Sequence, residues 1–244
     1  MPRAKTGKSA SRVRRKRTPS VIVASGKESF RDGEWDGALS SFDAAISRDP
    51  ENAAAWANKA AVLEVLGKPD EALISARRAI ALAPGLGAGH VVQALALARL
   101  GKTEEALESL ESLLALQPRN ALAWLNRGVL LARTGDAREA LRCFDRATVC
   151  DPAYSLAWIN QGAALLALSR YREAAASYTH ALSLRPDSVE ALVGHASALA
   201  AVGEAAGARG SLERALAVDP EHERATELAE ALGGSRGPRK PRHA

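Results

Sequence analysis

Small and apolar residues recur in this chain at a long, fixed interval. Alanine stands at Ala38, Ala72, Ala106, Ala140, Ala174 and Ala208, each 34 residues after the last. Apolar residues keep the same step at Val23, Ala57, Val91, Leu125, Ile159 and Val193. Proline falls at Pro50, Pro84, Pro118, Pro152, Pro186 and Pro220, and glycine at Gly33, Gly67, Gly101, Gly135 and Gly203, with Ser169 in the remaining place. With each proline numbered as position 32 of a 34-residue unit, the apolar series is position 5, the glycine position 15 and the alanine position 20. A glycine tolerates the left-handed backbone that ends a helix. A proline lacks the N–H and disfavours helical geometry in the residue before it. Each unit therefore reads as helix A (about positions 2–14), a tight turn, helix B (about 17–30) and a stop. Alanine at 20 lets the paired helices approach, while Trp56, Trp124 and Trp158 at position 4 and Phe42, Phe144 and Tyr178 at position 24 fill the space between them. Such a pair buries its apolar face only by stacking on its neighbours, which makes a solenoid.

This period, with Trp124-x-x-Arg127-Gly128, Gly135-x-x-x-x-Ala140 and Phe144-x-x-Ala147-x-x-x-x-Pro152, strongly resembles the tetratricopeptide repeat (TPR). The resemblance covers roughly residues 19–220. It implies an all-α, right-handed TPR solenoid of six helix-turn-helix units, in register at 19–52, 53–86, 87–120, 121–154, 155–188 and 189–222. Residues 221–232 are apolar on one face and charged on the other, as expected of a capping helix. Three departures from the family pattern stand out. Position 7, usually large and apolar, is Ser25, Lys59, Gln93, Arg127, Gln161 and His195. His90 replaces the tryptophan of unit 3, and unit 6 places Gly207 and Gly210 inside helix B at roughly 1 kcal/mol each relative to alanine, so that pair is expected to be the loosest.

Charge changes the picture at the ends. The chain has 33 Lys and Arg against 28 Asp and Glu, a formal net charge of +5. Residues 1–18 hold eight cations and 233–244 hold four, with no acid in either, so the repeats are acidic between two basic tails expected to be disordered. Arg12, Arg14, Arg15, Lys16 and Arg17 are candidate phosphate contacts through counterion release. Without an aromatic for base stacking, such binding would be indifferent to sequence and sensitive to salt. In a eukaryotic cell this run would resemble a nuclear-import signal; a merely solubilising tail is the other reading. No apolar run is long enough to span a membrane, and two cysteines make no secreted disulfide framework, so a cytoplasmic protein is expected.

The residues offer no chemistry. Gly101-Lys102-Thr103 sits in a turn between helices and lacks the earlier glycine of a phosphate loop. The five histidines have no metal-ligand spacing, Cys143 and Cys150 read as small packing residues, and neither a catalytic residue nor a cofactor is expected. A non-catalytic scaffold is expected, binding another protein as a peptide or helix. An adaptor tethered by its tails to nucleic acid or the ribosome, and an accessory subunit of an enzyme, are the alternatives.

The resemblance implies that helix A lines a concave groove through positions 2, 5, 6, 9, 12 and 13. Position 6 is Asn58, Asn126 and Asn160 in three units. A row of carboxamides can pair with a peptide backbone whatever its side chains; equally, asparagine is common at this position in TPR consensus sequences. Val91, Leu125 and Ile159 at position 5 are candidate apolar anchors, or else packing between repeats. Arg99 and Arg133 at position 13 are candidates to grip acidic groups, or cations that complement a helix C-terminus. Phe30 and Tyr154, aromatics outside the signature positions, complete the candidate surface. The family's clamp for C-terminal carboxylates, with Lys at 5 and Asn at 9 of the first repeat, is not matched by Val23 and Lys27.

Overall fold

The structure is a computed structural model that describes residues 18–233. Arg12, Arg14, Arg15, Lys16 and Arg17 therefore lie outside the described residues, as does nearly all of the C-terminal basic run. Among the described residues there are thirteen helices and no strand: α1 (Pro19–Arg31), α2 (Trp35–Arg48), α3 (Ala53–Val65), α4 (Pro69–Leu82), α5 (Gly87–Arg99), α6 (Thr103–Leu116), α7 (Ala121–Arg133), α8 (Ala137–Cys150), α9 (Ser155–Ala167), α10 (Tyr171–Leu184), α11 (Val189–Ala201), α12 (Ala205–Val218) and α13 (Glu223–Ala231). They pack in adjacent pairs as a TPR solenoid, helix A on positions 1–13 and helix B on positions 17–30. The chain divides into two compact units at Val92/Gln93, within α5.

Local chemistry sets the helix ends. The position-15 glycines adopt φ from +71° to +89°, and Ser169 takes the same place at φ +58°. Around Gly135, the amide of Asp136 reaches back to the Leu131 carbonyl at 3.0 Å, closing the C-terminal turn of α7. Helix A starts are capped by side chains at position 34: Asn52, Asn120, Ser188 and His222 accept from the amides of Ala55, Ala123, Ala191 and Ala225. Tyr154 occupies that position before α9 and makes no such cap.

In the first unit, α1 packs on α2, α2 on α3 and α3 on α4, and Ile22, Val23, Ala38, Phe42, Ala45, Ala55 and Val62 form a core cluster between α1, α2 and α3. In the second, α7–α8, α9–α10 and α11–α12 pack in the same way, and α13 covers α11 and α12. Phe144, Tyr178 and the position-20 alanines Ala140 and Ala174 lie in one core cluster; Leu192, Leu212 and Ala225 lie in another. Within each unit, successive A helices touch (α1 with α3; α7 with α9 and α9 with α11), whereas successive B helices do not. A helices thus form the inner layer of each unit.

A close fit explains position 8. A Cβ on Gly26, Gly128 or Gly162 would come within 2.8, 2.5 and 2.8 Å of the Phe42, Phe144 and Tyr178 rings, so an aromatic at position 24 requires glycine opposite it. Where position 8 is Ala60, Ala94 or Ala196, position 24 is Ala76, Leu110 or Leu212. The indole N–H groups of Trp56, Trp124 and Trp158 each donate to the carbonyl of the preceding proline at 2.9 Å. His90 keeps that link, its Nε2 lying 2.8 Å from the Pro84 carbonyl oxygen. In unit 6, a Cβ on Gly207 would meet Leu199 at 2.9 Å, whereas Gly210 faces open space. Only the first of those glycines has a packing reason.

Candidate functional site

Positions 6, 7 and 8 are consecutive on helix A and point three ways. Position 8 faces the aromatic core. Position 7 faces the seam between repeats, where Lys59, Gln93, Arg127, Gln161 and His195 are engaged by helix B of their own unit, of the preceding unit, or of both. Gln161 donates from Nε2 to Asp145 at 2.7 Å and accepts from the Ser177 hydroxyl at 2.8 Å. Arg127 donates to Glu111 at 2.9 Å and to the Cys143 sulfur at 3.0 Å. His195 lies between the Ser211 hydroxyl, 2.9 Å from Nδ1, and the Thr179 hydroxyl, 3.2 Å from Nε2. Gln93 accepts from Ser109 at 2.8 Å, and in the first unit Lys59 pairs with Asp43 at 2.6 Å. Burial shapes this seam's protonation. It pushes the Cys143 thiol up despite the Arg127 hydrogen bond, and it lowers His195, with Arg214 adding to the effect. Neutral forms are favoured at both, as hydrogen-bonded groups in a partly dry seam require.

Position 6 is an asparagine in three units and is buried at Val92 and at Gly194, which packs against the Tyr178 ring. Asn126 donates from Nδ2 to the Leu122 carbonyl at 2.7 Å, Asn160 to Leu156 at 2.8 Å, and Asn58, in the first unit, to Ala54 at 2.6 Å. This back-bond to the carbonyl four residues earlier can be made only through the amide nitrogen, so it leaves each Oδ1 as an acceptor outside that bond. All three asparagines are half-buried. In the second unit each is accompanied one turn earlier by an exposed leucine, Leu122 or Leu156, both 43% exposed.

Around Asn160 these features open into a cleft of about 840 Å³. Its lining comes from Leu156, Ile159 and Asn160 of α9, from Arg185, Pro186, Asp187 and Ser188 with Val189 and Glu190 of α11, and from Asp219 and His222. A second cleft of about 350 Å³, lined by Leu141, Asp145, Gln161, Arg170, Glu173 and Ser177 among others, holds polar groups of the seam already bonded to one another.

The expected surface residues fall into distinct environments. Val91 and Leu125 are buried at 7% and 6% exposure, which places them in packing, whereas Ile159 is half-exposed and lines the larger cleft. Arg99 and Arg133 are exposed in the last turns of α5 and α7, where a cation complements the helix dipole. Phe30 is half-buried, edge-on to Trp35 at 5.2 Å. Tyr154 is half-buried against the α7–α11 core, its hydroxyl pKa raised by burial and by Asp151. Leu122 and Leu156 were not singled out from the sequence, yet a signal existed: position 2 is large and apolar only in units 4 and 5, against Ser20, Ala54, Ala88 and Glu190 elsewhere. Among the described residues, no group of three His, Cys, Asp or Glu side chains could hold a metal ion, and no helix is long and apolar enough to cross a membrane.

Known proteins share this architecture. The structure matches the Cut9–Hcn1 hetero-tetramer of the APC/C with a TM-score of 0.78 at 21% identity, over 90% of this chain and 43% of that one. It matches PilW, a widely conserved type IV pilus biogenesis factor, with a TM-score of 0.75 at 20% identity, over 86% and 97% of the two chains. It also matches YrrB, a TPR protein with an unusual peptide-binding site, with a TM-score of 0.60 at 20% identity, over 78% and 97%. At these identities the likeness is one of fold. No curated protein matches the chain in sequence. One tetratricopeptide repeat family model matches residues 23–86 and 91–155, and a second matches 165–232. With the 34-residue register, the paired helices and these matches in agreement, the chain belongs to the tetratricopeptide repeat family.

Proposed function

We propose that this protein is a non-catalytic scaffold that binds a peptide or helical segment of another protein on the A-helix face of its repeats. Tetratricopeptide repeats generally mediate protein–protein interaction, and one structural relative, YrrB, is a TPR protein with a peptide-binding site. The observation that carries the reading is the local arrangement repeated at Asn58, Asn126 and Asn160, each back-bonded to its own helix through Nδ2, which leaves Oδ1 as an acceptor outside that bond. A fixed acceptor spends little conformational entropy on binding, which favours pairing with a backbone N–H. Exposed Leu122 and Leu156 beside Asn126 and Asn160 supply apolar contact of the kind that anchors a peptide in a groove.

The test is affinity capture with the full chain, comparing the wild type with Asn58→Ala, Asn126→Ala and Asn160→Ala combined. Loss of the captured protein, with thermal unfolding unchanged, is the expected result. Retention of every captured protein by the triple variant refutes the reading.

A further inference from the structure

We propose that the cleft between α9 and the start of α11 takes an extended peptide segment in which a lysine or arginine flanks an aliphatic side chain. This rests on the reading that the A-helix face binds peptide, and it specifies the partner's chemistry at one end of that face. The cleft lining on α9 is apolar with a single fixed acceptor: Leu156, Ile159 and the Oδ1 of Asn160. The remaining lining carries three carboxylates, Asp187, Glu190 and Asp219, against one guanidinium, Arg185. None of these four makes an ion pair among the described residues. Glu190 accepts only from the Ser188 hydroxyl at 3.1 Å, and Asp219 from the Glu221 amide at 3.2 Å. Arg214 is turned to the Pro186 carbonyl at 2.8 Å and is not part of the lining.

The same place one repeat earlier is different. There, Asp187 is replaced by Ala153, Glu190 by Leu156, Asp219 by Arg185 and Ser188 by the bulkier Tyr154. Arg185 itself stands where the earlier place has Asp151, so moving one unit along the chain takes the four charged positions from no net charge to two negative charges, while the Leu–Asn pair of helix A stays the same. A shared polar-apolar wall with a changed charge is how a repeat surface takes the same backbone while selecting different side chains. The start of α11 would favour an anion through its dipole, but Ser188 and Glu190 already serve that end from within the chain. The cleft is left to a cation.

The experiment selects a displayed random-peptide library on the immobilised full chain, then measures the binding of enriched peptides by fluorescence anisotropy. The expected result is enrichment of Lys or Arg next to Leu, Ile, Val or Met. Affinity should fall about tenfold or more in Asp187→Asn, Glu190→Gln, Asp219→Asn combined, and should weaken with added salt. Asp187→Lys alone, at a residue with no cap to lose, should act in the same direction. Enriched peptides without a cation, affinity unchanged in both charge variants, or no enrichment at all overturns the proposal. Asn126→Ala with Asn160→Ala separates the two readings. If neutral peptides are enriched and lost in that double variant, charge selection fails and the A-helix face stands. If peptides bind the double variant as they bind the wild type, the A-helix face itself is wrong.

Discussion

Asn126 and Arg127 are neighbours on α7, both polar, and their side chains do opposite things. Arg127 spends its donors inside the protein, on Glu111 of α6 and Cys143 of α8. Asn126 uses one donor on its own helix and leaves its acceptor outside that bond. The pattern returns at Asn160 and Gln161, whose amides are chemically alike. A polar residue on helix A is therefore structural or available according to whether its bonds close within the fold, and residue type alone does not say which. Gly128 and Gly162, next in line, belong to neither class; they give way to an aromatic ring.

That division can be broken residue by residue. The largest effect is expected at position 24: Phe144→Ala empties a core site that is 1% exposed and should cost about 3–5 kcal/mol in chemical denaturation. Gly128→Ala should cost about 1–3 kcal/mol by overpacking against that ring. Combined with Phe144→Leu, which copies the Ala94/Leu110 pairing of unit 3, it should cost less than the two single changes together. Next comes the contrast itself. Arg127→Ala removes an ion pair to the exposed Glu111, a weak bond to Cys143 and the packing of the arginine stem, and should lower stability by about 1 kcal/mol, whereas Asn126→Ala should stay within about 0.5 kcal/mol.

Smaller gains sharpen the account of the turns and of the last repeat. Ser169→Gly relieves a left-handed backbone at φ +58° and should stabilise by about 1 kcal/mol. Gly210→Ala should stabilise by up to about 1 kcal/mol, because nothing stands in the way of its Cβ, and Gly207→Ala should gain less against Leu199.

The smallest effect is one of pH. His195 is held below its ordinary pKa of 6.5, first by burial and then by Arg214, so protonation favours the unfolded chain. Its contribution is full above about pH 6.5 and declines as the pH falls from there towards the lowered folded value. His195→Gln installs the residue that unit 5 uses against Ser177, and should remove this part of the pH dependence. Urea midpoints of both proteins at neutral and mildly acidic pH measure the difference, which should shrink to nothing if His195 does not titrate.

The fold was readable from the chain because its signals are backbone signals repeated in phase. Glycine at position 15 and proline at 32 act through φ and a missing N–H, whatever surrounds them. The match of Gly26, Gly128 and Gly162 to Phe42, Phe144 and Tyr178 was also present in the sequence, as a correlation between positions 8 and 24, and became meaningful once the rings were seen to need the space. The candidate surface was less readable. Val91 and Leu125 share position 5 with Ile159, but their burial depends on how each helix meets its neighbours, which a period cannot express. The polar residues at position 7 looked like departures from a family pattern. They are a hydrogen-bonded seam, visible only when partners sixteen residues away, such as Ser177 for Gln161, are placed beside them.

The most direct test is to follow the side-chain amide resonances of Asn126, Asn160, Gln93 and Gln161 by nitrogen–proton NMR while a selected peptide is added. The account predicts that the Asn126 and Asn160 signals move in proportion to the peptide bound and that the Gln93 and Gln161 signals stay in place. Movement of the glutamine amides with still asparagines would contradict it.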